Sequence, residues 1–131
     1  MPFIGPSPDQ PTPEFWALVD LARSDAKAAR ARVAKLDRAE LVSFYWAYHD
    51  AAELLRDKLF EDEDQLPSED GVEDAMVWAV AQGEPVYRDV LTDRRRLPNE
   101  VGRFMDLMGE VVVNYQRRFH ETIPYPEDLA R

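Results

Sequence analysis

The chain of 131 residues contains no cysteine, which excludes disulfides, cysteine nucleophiles and cysteine-ligated zinc or iron–sulfur sites. Its five glycines are isolated from one another, so neither a Walker A loop nor a dinucleotide-binding fingerprint is present. No hydrophobic run approaches the ~18 residues of a membrane span, and the start of the sequence does not resemble a signal peptide. These absences favour a cytoplasmic protein without a membrane segment.

Basic residues are also scarce relative to acidic ones: 16 Lys and Arg face 26 Asp and Glu, which gives a formal net charge of −10. Nucleic-acid binding depends on Lys and Arg neutralising phosphates, and anionic lipids repel an acidic surface in the same way. The composition therefore predicts neither a nucleic-acid partner nor a membrane partner. The excess acid acts either as a solubilising surface or as a docking face for a basic protein partner.

What the sequence does contain is helical periodicity. Hydrophobic residues make up 45% of the chain, enough for a real core, and no segment of strand length alternates with period two. Residues 1–13 hold five prolines and predict an extended, flexible tail, whereas residues 14–131 predict one all-α domain of five to six helices.

Helix starts are the clearest local signals. Thr12-Pro13-Glu14 has the order of a capping hydroxyl, a first-turn proline and a first-turn acid, and Asp37 with Glu40 forms a capping-box pattern. The longest predicted helix follows Asp37, since its apolar residues recur at three- and four-residue steps. Pro98-Asn99-Glu100 is expected to open the last helix, whose apolar side runs from Phe104 to Phe119.

The segment from Ser68 to Asp93 combines a helix cap, a glycine stop at Gly83 and a new start at Pro85. Its residues resemble the bacterial family known as domain of unknown function 4240. The residues that carry the resemblance are Ser68, Asp70, Gly71, Trp78, Gln82, Gly83, Val86, Tyr87, Leu91 and Asp93, together with the start Glu14-Phe15-Trp16.

This chain departs from that family in one place. The family has an apolar, tryptophan-containing stretch before the acid–glycine pair, where this sequence has Lys58-Leu59-Phe60 and an acidic run. The resemblance therefore implies a divergent member. The family has no assigned activity, so the resemblance implies a fold and supplies no mechanism.

The acidic residues between positions 61 and 74 form a band of carboxylates with no intervening base. An EF-hand is excluded, because placing Gly71 at the sixth position of its loop puts Leu66 first and Val77 twelfth, and neither supplies a carboxylate. The band is predicted either to be a solvated loop and helix start or to be a binding patch for a basic protein. Its members are Glu61, Asp62, Glu63, Asp64, Glu69, Asp70, Glu73 and Asp74.

Catalytic and metal-binding patterns are weak. His49 lies four residues before Glu53, and His120 adjoins Glu121, but no recognised ligand spacing is present, so no metal or cofactor is predicted. Ser68 is better explained as a helix cap than as a nucleophile, because no serine occurs in a GxSxG elbow.

Several aromatic residues are candidates for a ligand pocket, although core packing is the commoner role for them. The candidate pocket comprises Trp46, His49, Trp78 and Tyr87. Trp46 lies off the main apolar stripe of its helix, which predicts a second packing face, a partner surface or a dimer contact.

Two functional hypotheses result from the sequence. The first is a non-catalytic protein–protein interaction module with an acidic surface. The second is a small-molecule-binding or enzymatic helical domain that uses the aromatic pocket.

Overall fold

The structure, a computed structural model, describes residues 2–59, 69–93, 102 and 104–130, and at residues 59, 69–73 and 130 it describes the backbone alone. Those residues contain six α-helices, a short 3₁₀ helix and no strand, which confirms the all-α prediction. The helices are α1 (Pro13–Ser24), α2 (Ala26–Lys35), α3 (Arg38–Leu59), α4 (Glu69–Ala81), α5 (Glu84–Thr92) and α6 (Leu107–Phe119), and the 3₁₀ helix is Pro126–Ala130.

Side-chain caps determine where the first three helices begin. The Thr12 hydroxyl accepts a hydrogen bond from the Phe15 amide, which also donates to the Thr12 carbonyl over 3.0 Å. The Asp25 carboxylate accepts one from the Ala28 amide in the first turn of α2. At α3 the predicted capping box is present. The Glu40 amide donates to Asp37 Oδ1 over 2.8 Å, and the Asp37 amide donates to Glu40 Oε1 over 3.1 Å.

Helix α3 is the centre of the molecule. It packs against α4, α5, α6 and the 3₁₀ helix, while α2 packs against α1 and α6. Its buried positions recur at the predicted three- and four-residue steps. They include Leu41, Phe44, Tyr48, Ala52 and Leu55.

The turn between α4 and α5 requires glycine. Gly83 has φ +97° and is the N-cap of α5, with Pro85 in the first turn. A side chain there would be strained, and its Cβ would lie about 3.0 Å from atoms of Asp20 and Arg23. The predicted stop and restart at this point are confirmed.

The start of the last helix differs from the prediction. Pro98, Asn99 and Glu100 lie outside the described residues, but Gly102 and residues 104–106 are not helical. Helix α6 begins at Leu107, because Asp106 caps it by accepting a hydrogen bond from the Gly109 amide over 3.0 Å. Phe104 therefore lies in the connection before the helix and not on the helix itself.

The proline-rich segment at the beginning of the chain is extended, as predicted, but it packs against α3 and does not project as a flexible tail. The Phe3 side chain is buried and meets Phe44 edge-to-face, with ring centroids 5.2 Å apart. The Phe3 amide donates to Ser43 Oγ over 3.0 Å, and the Thr12 amide donates to the Phe3 carbonyl over 3.3 Å. Burial of the Phe3 side chain thus anchors residues 2–12 to the core.

The segment after α6 also returns to α3. His120 ends α6 in the left-handed conformation, with φ 55°, and the chain then runs back along the central helix as far as the 3₁₀ helix. Among the residues described, no helix is both long enough and apolar enough to cross a membrane.

Candidate functional site

A groove of about 310 Å³ lies between α3, α4 and the first turn of α6. Helix α3 supplies one wall, because residues spaced three or four apart lie on one face of a helix. Apolar side chains from α3, α4 and α6 line it alongside ionisable ones from α3. Its lining residues are Tyr45, His49, Ala52, Glu53, Arg56, Met76, Val77 and Met108.

His49 lies on the rim of this groove and is half-buried. Its Nδ1 is 3.3 Å from Asp50 Oδ1, and its Nε2 is 3.9 Å from Glu53 Oε1. The His49 and Glu53 side chains therefore share one face of α3. Beside its apolar lining the groove thus carries an imidazole and a carboxylate, those of His49 and Glu53, that can meet polar groups of a ligand.

The second predicted histidine pair is arranged differently. His120 is exposed at the end of α6, and Glu121 accepts hydrogen bonds from Arg38 and the Tyr115 hydroxyl. These two bonds lower the pKa of Glu121. Within the described residues no group of three or more histidine, aspartate and glutamate side chains has the geometry to hold a metal ion.

Trp46 is covered by the segment that follows α6. Its Nε1 donates to the Pro124 carbonyl over 2.8 Å, and the Tyr125 ring stacks on it with centroids 4.8 Å apart. Of the roles predicted for Trp46, the structure shows the second packing face. The indole also meets His49 edge-to-face at 5.0 Å, so the covering segment lies next to the groove rim.

Tyr87 packs elsewhere. Its hydroxyl donates to the Ala51 carbonyl over 3.0 Å and its ring lies 5.4 Å from Trp16, so it fills the core between α5, α3 and α1. Burial raises the pKa of Tyr87 well above its ordinary value. Trp78 is partly buried against the core. Of the four residues predicted to share a pocket, only His49 lines the groove, because the others pack against different parts of the molecule.

The sequence pattern did not identify the apolar floor of the groove. Met76 was assigned to the core stripe of α4, and it is indeed buried, but one side of it lines the groove together with Met108. Methionines on two different helices carry no local signal that they meet. Only the packing of α4 and α6 on α3 brings them together.

A larger cavity of about 450 Å³ lies between α1, α4 and the connection before α6. Its polar lining residues include Arg23, Gln82 and Tyr48, and the Tyr48 hydroxyl donates to the Val77 carbonyl over 2.7 Å. Burial raises the pKa of Tyr48 well above its ordinary value, so this hydroxyl stays protonated and acts as a structural donor.

The predicted acidic band falls mostly outside the described residues. Glu61, Asp62, Glu63 and Asp64 are among those not described. The backbones of Glu69, Asp70 and Glu73 belong to the first turns of α4, where carboxylates are favoured by the helix dipole, and Asp74 is exposed.

Three further carboxylates extend the band onto α3. Asp50, Glu53 and Asp57 follow one another at three- and four-residue steps on the half of α3 that leads into the band. Residues 50–74, which we call the acidic stretch, contain eleven acidic and two basic residues, a formal charge of −9. Almost the whole net charge of the protein therefore comes from this stretch, which borders the groove through Glu53.

Comparisons with known proteins give no relative. The chain matches no protein-family model, no curated protein and no solved structure. The geometry of the groove and the distribution of charge are consequently the observations from which a function is argued.

Proposed function

We propose that the protein is a non-catalytic interaction module that binds a basic segment of a partner protein. The observation that carries the proposal is that the apolar groove lies beside Glu53 and the neighbouring carboxylates of α3, with which the acidic stretch begins. A groove floor of Met76, Val77 and Met108 offers adaptable apolar contact, since methionine side chains adjust to differently shaped partners. Carboxylates along the adjoining edge favour Lys or Arg on the same segment.

Glu53 is the residue that joins the two features. It lines the groove and belongs to the row of carboxylates formed with Asp50 and Asp57. A segment with an apolar anchor and a neighbouring cation therefore fits both surfaces at once. Arg56 of the same helix also lines the groove and disfavours a segment that is basic throughout, which points to alternating apolar and basic residues.

The experiment uses a fluorescent peptide of alternating Leu and Lys residues, with anisotropy as the measure of binding. The variant Asp70→Ala/Glu73→Ala removes two charges from the acidic stretch and is expected to weaken binding several-fold, with a smaller effect at high salt because screening shortens the range of the attraction. The matched control Glu127→Ala/Asp128→Ala removes the same charge from the 3₁₀ helix and is expected to bind as the wild type does. If both variants are folded and bind the peptide equally well, the acidic stretch is not the surface that binds it.

The groove is tested separately. Met108→Ser removes apolar surface from the groove and is expected to weaken peptide binding. Val113→Ser, on the exposed side of the same helix, is expected to leave binding unchanged. Thermal melting of each variant shows that it remains folded. If only Asp70→Ala/Glu73→Ala loses binding, the acidic stretch alone binds the peptide and the groove does not take part.

The second candidate function is binding of a small molecule, and the groove volume of about 310 Å³ favours it because pockets for such ligands begin at about 300 Å³. A screen of metabolites and metal ions by thermal shift distinguishes the two functions. A ligand that raises the melting temperature in a dose-dependent way, and fails to do so in Met108→Ser, supports this alternative.

Membership of the domain of unknown function 4240 family also remains a proposal, supported by the residues between Ser68 and Asp93 that resemble it. A cytoplasmic location belongs to the same proposal and is supported by the absence of cysteine from the sequence.

A further inference from the structure

Arg56 is a cation in a groove that the proposed function fills with a partly basic segment. It belongs to α3, lines the groove and is partly buried. Lys or Arg residues of a partner explain Glu53 beside the groove, but they give the Arg56 guanidinium nothing to bind. A partner that fits the whole groove therefore also supplies an anionic group.

Helix α3 places the charged groups of the groove in one row. His49, Glu53 and Arg56 are spaced four and three residues apart, so they lie on one face over two turns of the helix. Glu53 contacts the imidazole, with Nε2 and Oε1 3.9 Å apart, and no ion pair joins it to Arg56 in the part of the chain that the structure describes. The row thus presents a carboxylate and, one turn further along α3, a separate guanidinium.

Apolar side chains complete the groove. Ala52 and Met76 are buried, and Val77 and Met108 are partly buried against the core. They come from three helices and form one surface for an apolar side chain, which the two methionines make adaptable in shape. A single groove of about 310 Å³ therefore brings an anionic, a cationic and an apolar surface together.

The last residue of a polypeptide chain is a chemical unit that suits this combination. An apolar terminal residue carries its side chain and its α-carboxylate on the same Cα atom, and a guanidinium binds a carboxylate through two parallel hydrogen bonds. A Lys or Arg one or two residues earlier reaches Glu53, because positions 53 and 56 are about 4.5 Å apart along the helix axis and an extended chain advances about 3.4 Å per residue.

We infer that the groove binds the C-terminal residue of a partner protein. The free carboxylate of that residue pairs with Arg56, its apolar side chain packs on Met76 and Met108, and a preceding Lys or Arg pairs with Glu53. The inference rests on the proposed function, which it narrows from a segment of alternating apolar and basic residues to the end of a chain. Recognition of a terminal carboxylate adds specificity, because a segment inside a chain lacks this group.

Two forms of one peptide test the inference without any change to the protein. A labelled peptide of alternating Lys and Leu that ends in Leu is made with a free C-terminal carboxylate and with a C-terminal amide, and anisotropy at about 0.15 M salt measures the binding of both. The free acid is expected to bind about fivefold more tightly, the upper end for a partly exposed ion pair. Long-range attraction by a protein of net charge −10 favours the amide instead, because the amide is one charge more positive.

A variant of the guanidinium locates the preference. Arg56→Gln is expected to bind both forms equally and to keep its affinity for the amide. Lys58→Gln is the matched control, since it removes the same charge from an exposed residue of α3 that does not line the groove, and it is expected to keep the preference for the free acid. Thermal melting shows that each variant remains folded.

Equal binding of the two forms by the wild type overturns the inference and leaves the proposed function standing. A preference for the free acid that persists in Arg56→Gln, or that is lost equally in Lys58→Gln, also overturns it. Failure of both forms to bind contradicts the proposed function together with the inference. If N-acetylleucine displaces the free-acid peptide at a similar concentration, the groove recognises a small molecule, which overturns the inference in favour of the second candidate function.

Discussion

Helix α2 and the second half of α3 pack into the same molecule but are attached to it very differently. Helix α2 buries only Ala29 and Val33 and carries four cations, whereas α3 has buried residues from Leu41 to Leu55 and continues into the acidic stretch. The contrast shows that the net charge of −10 is a sum to which segments of opposite sign contribute. Burial in the core determines the position of α3, while α2 is held by two buried side chains and, at Arg30, by an ion pair with Glu110.

The largest expected effect comes from breaking the core that both helices share. Phe44→Ala removes a buried ring that contacts Phe3, Phe15 and Tyr48, and is expected to lower the free energy of unfolding by about 3–5 kcal/mol. Urea denaturation followed by circular dichroism measures it. Val113→Ala, an exposed apolar position, is the control and is expected to change stability by less than about 0.5 kcal/mol. A small effect of Phe44→Ala contradicts the central position of α3.

A smaller effect separates the two helices. Val33→Ala removes two methyl groups from a fully buried position on α2 and is expected to cost about 2 kcal/mol. Because α2 has few other buried side chains, its amides are expected to exchange with deuterium faster while those in the middle of α3 keep most of their protection. If amide exchange becomes faster by the same factor in both helices, α2 does not unfold separately from α3.

The smallest effect concerns Glu121, which forms an ion pair with Arg38 at the junction of α2 and α3. Arg38 and the Tyr115 hydroxyl both donate to Glu121, and these bonds lower the pKa of Glu121 below the ordinary value of 4.5. A lowered folded-state pKa stabilises the protein above pH 4.5, and this stabilisation is lost as the pH falls through the folded-state pKa. Glu121→Gln is therefore expected to reduce the acid-induced loss of stability below that pH.

Melting temperatures between pH 3 and 7, a range about the ordinary glutamate pKa, measure this dependence. Glu127→Gln is the control, since no ion pair involves Glu127 in the described part of the chain. An unchanged profile for Glu121→Gln contradicts a contribution of these two hydrogen bonds to stability.

Local signals predicted the fold well. Thr12, the Asp37–Glu40 box and Gly83 each act through residues within four positions along the chain, so the sequence pattern is sufficient to place them. The predicted start of α6 was wrong for a related reason. Pro98 and Asp106 are both residues that commonly begin helices, and Asp106 is the N-cap of α6.

Long-range contacts could not be predicted in this way. The bond from Phe3 to Ser43 joins residues 40 positions apart, so composition alone made residues 1–13 look like a flexible tail. The groove has the same origin, because Met76 and Met108 meet only through packing on α3. All four candidate pocket residues were predicted together, but only His49 lines the groove. The spacing of Trp46, Trp78 and Tyr87 does not distinguish a pocket residue from a core residue.

The two segments that flank the helices both attach to α3 within a single turn. The Phe3 amide bonds to Ser43, and Trp46, three residues later, bonds to the Pro124 carbonyl. The polypeptide is thereby closed into a non-covalent ring with its junction on the central helix. Because both segments are already held at one turn of α3, a covalent cross-link between them would cost little additional loop entropy.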